Sequence, residues 1–119
     1  MTVNVKERSP SAESSVLAFF QISDLWGISI PQQMSLLGSP SRDTLYKWKN
    51  GDVRRLGHDT LQRISYILGI FKALQFGPVL SADWVRCSNR AFGGQSALDR
   101  MLGGDIADLA VVRNYLDGI

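Results

Sequence analysis

The chain has 119 residues, 45% of them hydrophobic and 20% charged, with a formal net charge of +2. That balance suits one globular domain or two small ones and excludes a disordered chain, and its small net charge means that any basic surface must be local. The single cysteine, Cys87, excludes an intramolecular disulfide, no apolar run approaches the ~20 residues of a membrane span, and the polar N-terminus lacks the apolar core of a secretory signal, so a soluble protein of a reducing cytoplasm is expected.

Periodicity predicts helices throughout, an all-α fold. Residues 1–10 read as a polar, flexible arm. Residues 11–23 read as the first helix, with Val16, Leu17 and Phe20 at helical spacing; Leu25, Trp26 and Ile28 continue the apolar material around a turn at Gly27. A second helix is expected over residues 29–37. Ser29 caps it, Pro31 sits in the first turn where no intrahelical donor is needed, Met34 and Leu37 face inward, and Gly38 stops it. A third follows over residues 42–50, between Ser41 and Gly51, with Leu45 and Trp48 toward the core.

Two short helices joined by a tight glycine-containing turn fit a helix-turn-helix. The second carries Ser41, Arg42, Thr44, Tyr46, Lys47 and Lys49, and Arg54 and Arg55 lie just beyond it. Five basic residues stand against Asp43 and Asp52 in this stretch, so its local charge exceeds that of the whole chain. A helix fits the major groove, Arg and Lys meet phosphates, and Arg, Thr and Lys reach base edges. Spacing alone leaves a second reading open, an ordinary solvated helix with lysines on it.

Residues 59–75 form the longest expected helix, with Asp59 as its cap. Leu61, Ile64, Leu68 and Phe71 make one apolar stripe; Ile67, Ile70 and Leu74 make another beside it. That is wider than one buried face needs. The expectation is a helix that is both central in the protomer and shared with a second copy, through Ile64, Ile67, Phe71 and Leu74, in a two-fold dimer.

Gly77-Pro78 is the candidate boundary. It divides the chain into an arm (1–10), a helix-turn-helix and dimerisation region (11–76) and a C-terminal piece (77–119). In the last piece residues 81–86 read as a helical turn anchored by Trp84 and Val85, and residues 89–95 as a loop holding Phe92. Ser96 caps a short helix with Asp99 three positions on, Gly103-Gly104 ends it, and Asp105 caps a final helix in which Ile106, Leu109, Val112 and Leu116 recur.

Nothing here carries catalysis. His58 lacks the partners of a general base and reads as part of a loop and helix cap. Cys87 has no second thiol or nearby histidine for a metal. Asp105 and Asp108 suit capping and dipole stabilisation, and Gly93-Gly94 follows no strand and precedes no Lys-Ser/Thr, unlike a phosphate loop. Trp26, Trp48 and Trp84, one per segment, read as core anchors, with an interface hot spot as the second reading of Trp84. No cofactor and no metal are expected.

The order Trp84-Val85-Arg86, Phe92-Gly93-Gly94, Ser96-Ala97-Leu98-Asp99-Arg100-Met101-Leu102, Gly104, Asp108-Leu109 and Val112-Arg113, then Tyr115-Leu116-Asp117, resembles the toxin-binding domain of Xre/MbcA/ParS-type antitoxins. The preceding run from Leu61 through Arg63, Ile64, Ser65, Ile67, Leu68, Gly69, Ile70, Lys72, Ala73 and Leu74, and the helix-turn-helix before it, are also similar to that family. The resemblance implies a dimeric, all-helical antitoxin of a type II toxin–antitoxin pair, with an Xre-like helix-turn-helix that binds operator DNA and represses its own operon. Its C-terminal domain would block the active site of a RES-domain toxin that consumes NAD. The toxin-binding residues it implies are Trp84, Phe92, Leu98, Met101, Asp108, Arg113, Tyr115, Leu116, Asp117, Gly118 and Ile119. Many members have proline where this chain has Ala97. Members often continue beyond the Tyr-Leu-Asp run, whereas here only Gly118 and Ile119 follow, so a long inserted tail is not expected.

Charge adds a physical reason. From Ser96 onward four aspartates and the terminal carboxylate stand against Arg100 and Arg113, and a pocket that holds a pyrophosphate is cationic, so an acidic end complements it. Deleting residues 115–119 should abolish neutralisation while leaving dimer and DNA binding largely intact. The competing function is a stand-alone transcriptional regulator whose C-terminal helices serve only dimerisation.

Overall fold

The computed structural model describes residues 12–76 and 82–118. The polar arm, the Gly77-Pro78 boundary and Ile119 lie outside the described residues. Within them the chain folds as six α-helices and two 3₁₀ turns: α1 Ala12–Trp26, α2 Ile30–Leu36, α3 Arg42–Lys49, α4 His58–Phe76, the turns Ala82–Arg86 and Arg90–Phe92, α5 Ala97–Met101 and α6 Ile106–Asp117.

α1 buries Val16, Phe19, Phe20, Ile22, Ser23 and Trp26, which recur at three- and four-residue spacing. The helix runs past the expected stop at Ser23, because Trp26 falls on the buried face; the buried Ser23 hydroxyl is satisfied by donating to the Phe19 carbonyl (2.9 Å). Gly27, at φ 68°, ends it. Leu17 points outward instead of inward and is 60% exposed. The C-terminal carbonyls of α1 are capped from far along the chain. Arg86 donates from Nε and Nη2 to the Trp26 carbonyl (3.0 and 2.7 Å) and from Nη2 to that of Gly27 (2.8 Å). A cation at a helix C-terminus also suits the dipole.

α2 starts in a capping box: the Gln32 N–H donates to the Ser29 hydroxyl, and the Ser29 N–H donates to the Gln32 side chain. Its inward face includes the expected Leu37 and, in part, Met34, and is wider than expected. Gln33 and Leu36 are the buried helical positions, Leu37 is buried at the C-cap, and Met34 is half-buried. Gln33 Nε2 donates to the Ile28 carbonyl at 3.0 Å. α3 begins at Ser41, whose hydroxyl accepts from the Thr44 N–H (3.1 Å), and ends at Asn50 before Gly51, at φ 89°. Leu45 is fully buried and Trp48 half-buried.

α4 is the spine. It packs on α1 along one side and, most extensively, on α6 along the other; α5 closes against α6. Its first residue is His58, so Asp59 lies in the first turn and is not the cap. There its carboxylate accepts from Arg63 Nε at 2.8 Å, with the arginine side chain 10% exposed. Ile64, Ile67, Ile70 and Leu74 line the buried face. Burying each such side chain stabilises the fold by roughly 1.5–3 kcal/mol relative to leaving it exposed. One hydrophobic cluster runs from Val16 on α1 through α4 to Leu116 on α6, so the residues on either side of Gly77-Pro78 share a core.

The four residues expected at a dimer seam divide by burial. Ile64 (1% exposed), Ile67 (0%) and Leu74 (7%) are consumed by the protomer's own packing, and only Phe71 of the four is still half-buried. Ile67, Ile70 and Leu74, the second apolar stripe of α4, are buried within the protomer.

Candidate functional site

The α3 surface is set by capping and by two core anchors. Leu45 and Trp48 turn inward, which leaves Arg42, Asp43, Tyr46 and Lys47 outward as two i,i+4 pairs. Beyond the helix, Arg54 is bonded to Asp52 (3.1 Å), and Lys47, Trp48, Asp52, Arg54 and Arg55 line one shallow groove. The eight expected DNA-binding residues therefore divide. Arg42, Tyr46, Lys47, Arg54 and Arg55 share an exposed surface. Ser41 and Thr44 are engaged with each other at the N-cap, with the Ser41 hydroxyl donating to that of Thr44 at 2.9 Å. Lys49 leans back over the ring of Phe20, its Nζ 5.7 Å from the centroid.

The C-terminal piece is built on two reverse turns. Ser88 pairs with Ser96 in an isolated antiparallel bridge. Within it the Asn89 side chain accepts from the Ala91 N–H (2.9 Å), and Gly93 and Gly94 take φ of 70° and 88°. This loop brings Phe92 beneath Trp84 and α6. The Trp84 indole stacks on the Tyr115 ring, with centroids 5.9 Å apart and planes inclined 15°. Phe92 meets both edge-on, at 6.2 Å from Trp84 and 5.3 Å from Tyr115. Phe92 is buried, Trp84 half-buried and Tyr115 exposed, so the cluster has an apolar root and a solvent-facing rim.

The Asp108 carboxylate is directed inward. It accepts from Arg100 Nε (3.0 Å) and from the Asp105 N–H (3.2 Å), which locks the turn between α5 and α6. At the other end of α6, Arg113 Nη1 donates to Asp117 at 2.7 Å. Of the expected toxin-binding residues, Phe92, Leu98, Met101 and Leu116 are buried, between 1% and 7% exposed, and form the floor of the surface. Asp108 is tied up internally. Trp84, Arg113, Tyr115, Asp117 and Gly118 are left on or near the surface; Ile119 lies outside the described residues.

Two features escape sequence reasoning. Arg86 caps α1 across the fold, a contact that no local pattern announces. Leu17 (60%), Leu25 (70%) and Phe76 (80%) stand exposed on α1 and α4. Beside them a groove lies between these helices, lined by Ala18, Ile22, Leu25, Leu68, Phe71 and Phe76 among others. Among the described residues no group of three or more His, Cys, Asp and Glu could hold a metal, and no helix is long and apolar enough to cross a membrane.

The fold and these two surfaces define an all-α protein in which an Xre-like helix-turn-helix domain precedes a small helical binding domain. Residues 7–69 match the antitoxin Xre-like helix-turn-helix domain, and residues 75–119 match the antitoxin Xre/MbcA/ParS C-terminal toxin-binding domain. The chain belongs to the Xre/MbcA/ParS antitoxin family. A protein of Sinorhizobium fredii (strain NBRC 101917 / NGR234), described as uncharacterized protein y4oB, is 44% identical over 125 residues, covering 98% of this chain and 96% of the relative. No solved structure gives a significant match.

Proposed function

We propose that this antitoxin neutralises a RES-domain, NAD-consuming toxin by covering its active site, and represses its own operon in the cytoplasm as a homodimer. The observation that carries the first part is the rim of the aromatic cluster. Trp84 and Tyr115 offer a rigid, partly exposed aromatic patch, the kind of anchor that dominates interface energetics, and Asp117 stands two residues from Tyr115 with a half-exposed carboxylate. A cationic pocket shaped for a pyrophosphate accepts such a surface. Arg42 and Lys47 on α3 and Arg54 and Arg55 beside it suit a duplex backbone and its major groove. The exposed apolar face of α1 and α4, with Leu25 and Phe76, suits the second copy that a two-half-site operator requires. NAD chemistry belongs to the toxin; this chain needs no cofactor.

Coexpression with the product of the adjacent open reading frame, assayed for NAD consumption, tests the reading. The expected result is a co-purifying complex whose NAD consumption is suppressed. A toxin that remains free and active in the presence of excess antitoxin would leave the stand-alone regulator as the better reading.

A further inference from the structure

Two residues in the packed helices α4 and α6 break local rules, and one arginine joins them. Gly69 lies in the interior of α4 without a positive φ. Its backbone would accept any residue, and glycine there costs about 0.5–1 kcal/mol relative to alanine. Asp117 ends α6, whose last turn carries no basic residue; a carboxylate at that end opposes the helix dipole. Arg113 connects them. Its Nη1 donates to the Asp117 carboxylate at 2.7 Å. Its stem lies so close to α4 that a Cβ at Gly69 would stand 2.7 Å from Arg113 Nε and 3.2 Å from its Cδ.

Helix stability alone would favour alanine at 69 and a neutral or basic residue at 117. Rules broken at linked positions mark places where a geometry is being held. An unsupported i,i+4 ion pair is worth only about 0.3–0.5 kcal/mol and leaves both side chains free to wander. Here the arginine is laid against a second helix, its side chain 33% exposed, and its partner is 55% exposed. We infer that Gly69 and Arg113 are positioning residues that hold the Asp117 carboxylate in one orientation, as the acceptor for a cationic group in the partner's pocket. The partner half of this inference rests on the function proposed above.

The free protein tests the positioning. In nitrogen-correlated NMR spectra the Arg113 Nη–H groups, one of which donates to Asp117, should give a distinct, rotationally restricted signal that moves toward the solvent value in both Gly69→Ala and Asp117→Asn, while the melting temperature of Gly69→Ala is unchanged or higher. Affinity for the coexpressed RES-domain protein tests the role. Gly69→Ala, Arg113→Ala and Asp117→Asn should each weaken it about tenfold or more. The double variant Gly69→Ala/Arg113→Ala should be no weaker than Arg113→Ala alone. Asp117→Asn alters no packing, so it keeps the test valid even if Gly69→Ala fails to fold. An unchanged Arg113 signal in Asp117→Asn or in a folded Gly69→Ala overturns the positioning, whatever the toxin does. Full affinity in Asp117→Asn, or additive losses in the double variant, overturns the role. A wild-type chain that does not bind the toxin overturns the proposed function instead.

Discussion

Trp84 and Tyr115 lie face to face, 5.9 Å between ring centroids and 15° between planes. The first belongs to a 3₁₀ turn and the second to the last helix. Their stack is supported from beneath by Phe92, whose edge meets both rings. Truncating Trp84 to alanine should destabilise the protein by about 2–4 kcal/mol, toward the lower end of fully buried tryptophans because its ring is half-buried. Tyr115→Phe should keep stability within about 0.5 kcal/mol. Urea unfolding read by fluorescence checks both, and equal losses in the two variants would show that the stack is not the supporting element.

Removal of residues 115–119 does more than take away a contact surface. It deletes Leu116, which is 7% exposed, and bares Trp84 and Phe92. The deletion should therefore lower the unfolding midpoint as well as neutralisation. Asp117→Asn, which removes the charge and only a partly exposed i,i+4 ion pair with Arg113, should impair neutralisation with stability within about 0.5 kcal/mol. Parallel thermal scans and growth-rescue assays separate the two effects, and a deletion variant with wild-type stability would contradict the packing argument.

Arg86 holds the end of α1 through three hydrogen bonds to the Trp26 and Gly27 carbonyls. Arg86→Ala should cost about 1–2 kcal/mol, since hydrogen bonds to charged groups are the stronger ones and this side chain is partly solvated. Lysine should recover only part of it, because a point charge cannot serve both carbonyls in the same fork geometry. Denaturant midpoints would decide this, and a lysine variant as stable as wild type would show that charge alone suffices.

On α3, Arg42→Ala and Lys47→Ala should each weaken operator binding and lower the salt dependence by about one phosphate contact. Lys49→Ala should leave operator affinity nearly unchanged, because Lys49 leans over Phe20. Fluorescence anisotropy across a salt series distinguishes these, and equal losses at all three positions would make the effect one of net charge.

The α1 and α4 residues divide between core and surface. Leu25→Glu and Phe76→Glu should convert a dimer to a folded monomer in sedimentation experiments, whereas Ile67→Ala should cost about 2–5 kcal/mol of stability whatever the oligomeric state. Unchanged sedimentation in both glutamate variants would mean that this face is not where two copies meet.

Much of the secondary structure was legible because its signals are local. Ser29, Ser41 and Ser96 each cap a helix through hydrogen bonds to the N–H three positions on, and Gly38 and Gly51 adopt the left-handed backbone that stops one. The order of motifs in the last third was specific enough to suggest the family. Burial was read less well. Periodicity shows that α4 has two apolar stripes, but it does not say whether another helix of the same chain or a second copy covers them. Burial within the protomer answered that for Ile67 and Ile70, and it sets Leu98, Met101 and Leu116 beneath the surface.

What the sequence by itself determined is whatever depends on neighbours within a turn or two: the helices, their caps, the glycine stops and the basic character of α3. Tertiary structure alone decided which apolar residues are spent in the core, that Arg86 reaches back to α1, and that Trp84, Phe92 and Tyr115 form one cluster. It also placed Arg113 across Gly69. The physical reason is that capping and propensity act over a few residues, whereas burial and side-chain partnership depend on which helices close against each other, and that is set by the packing of the whole chain.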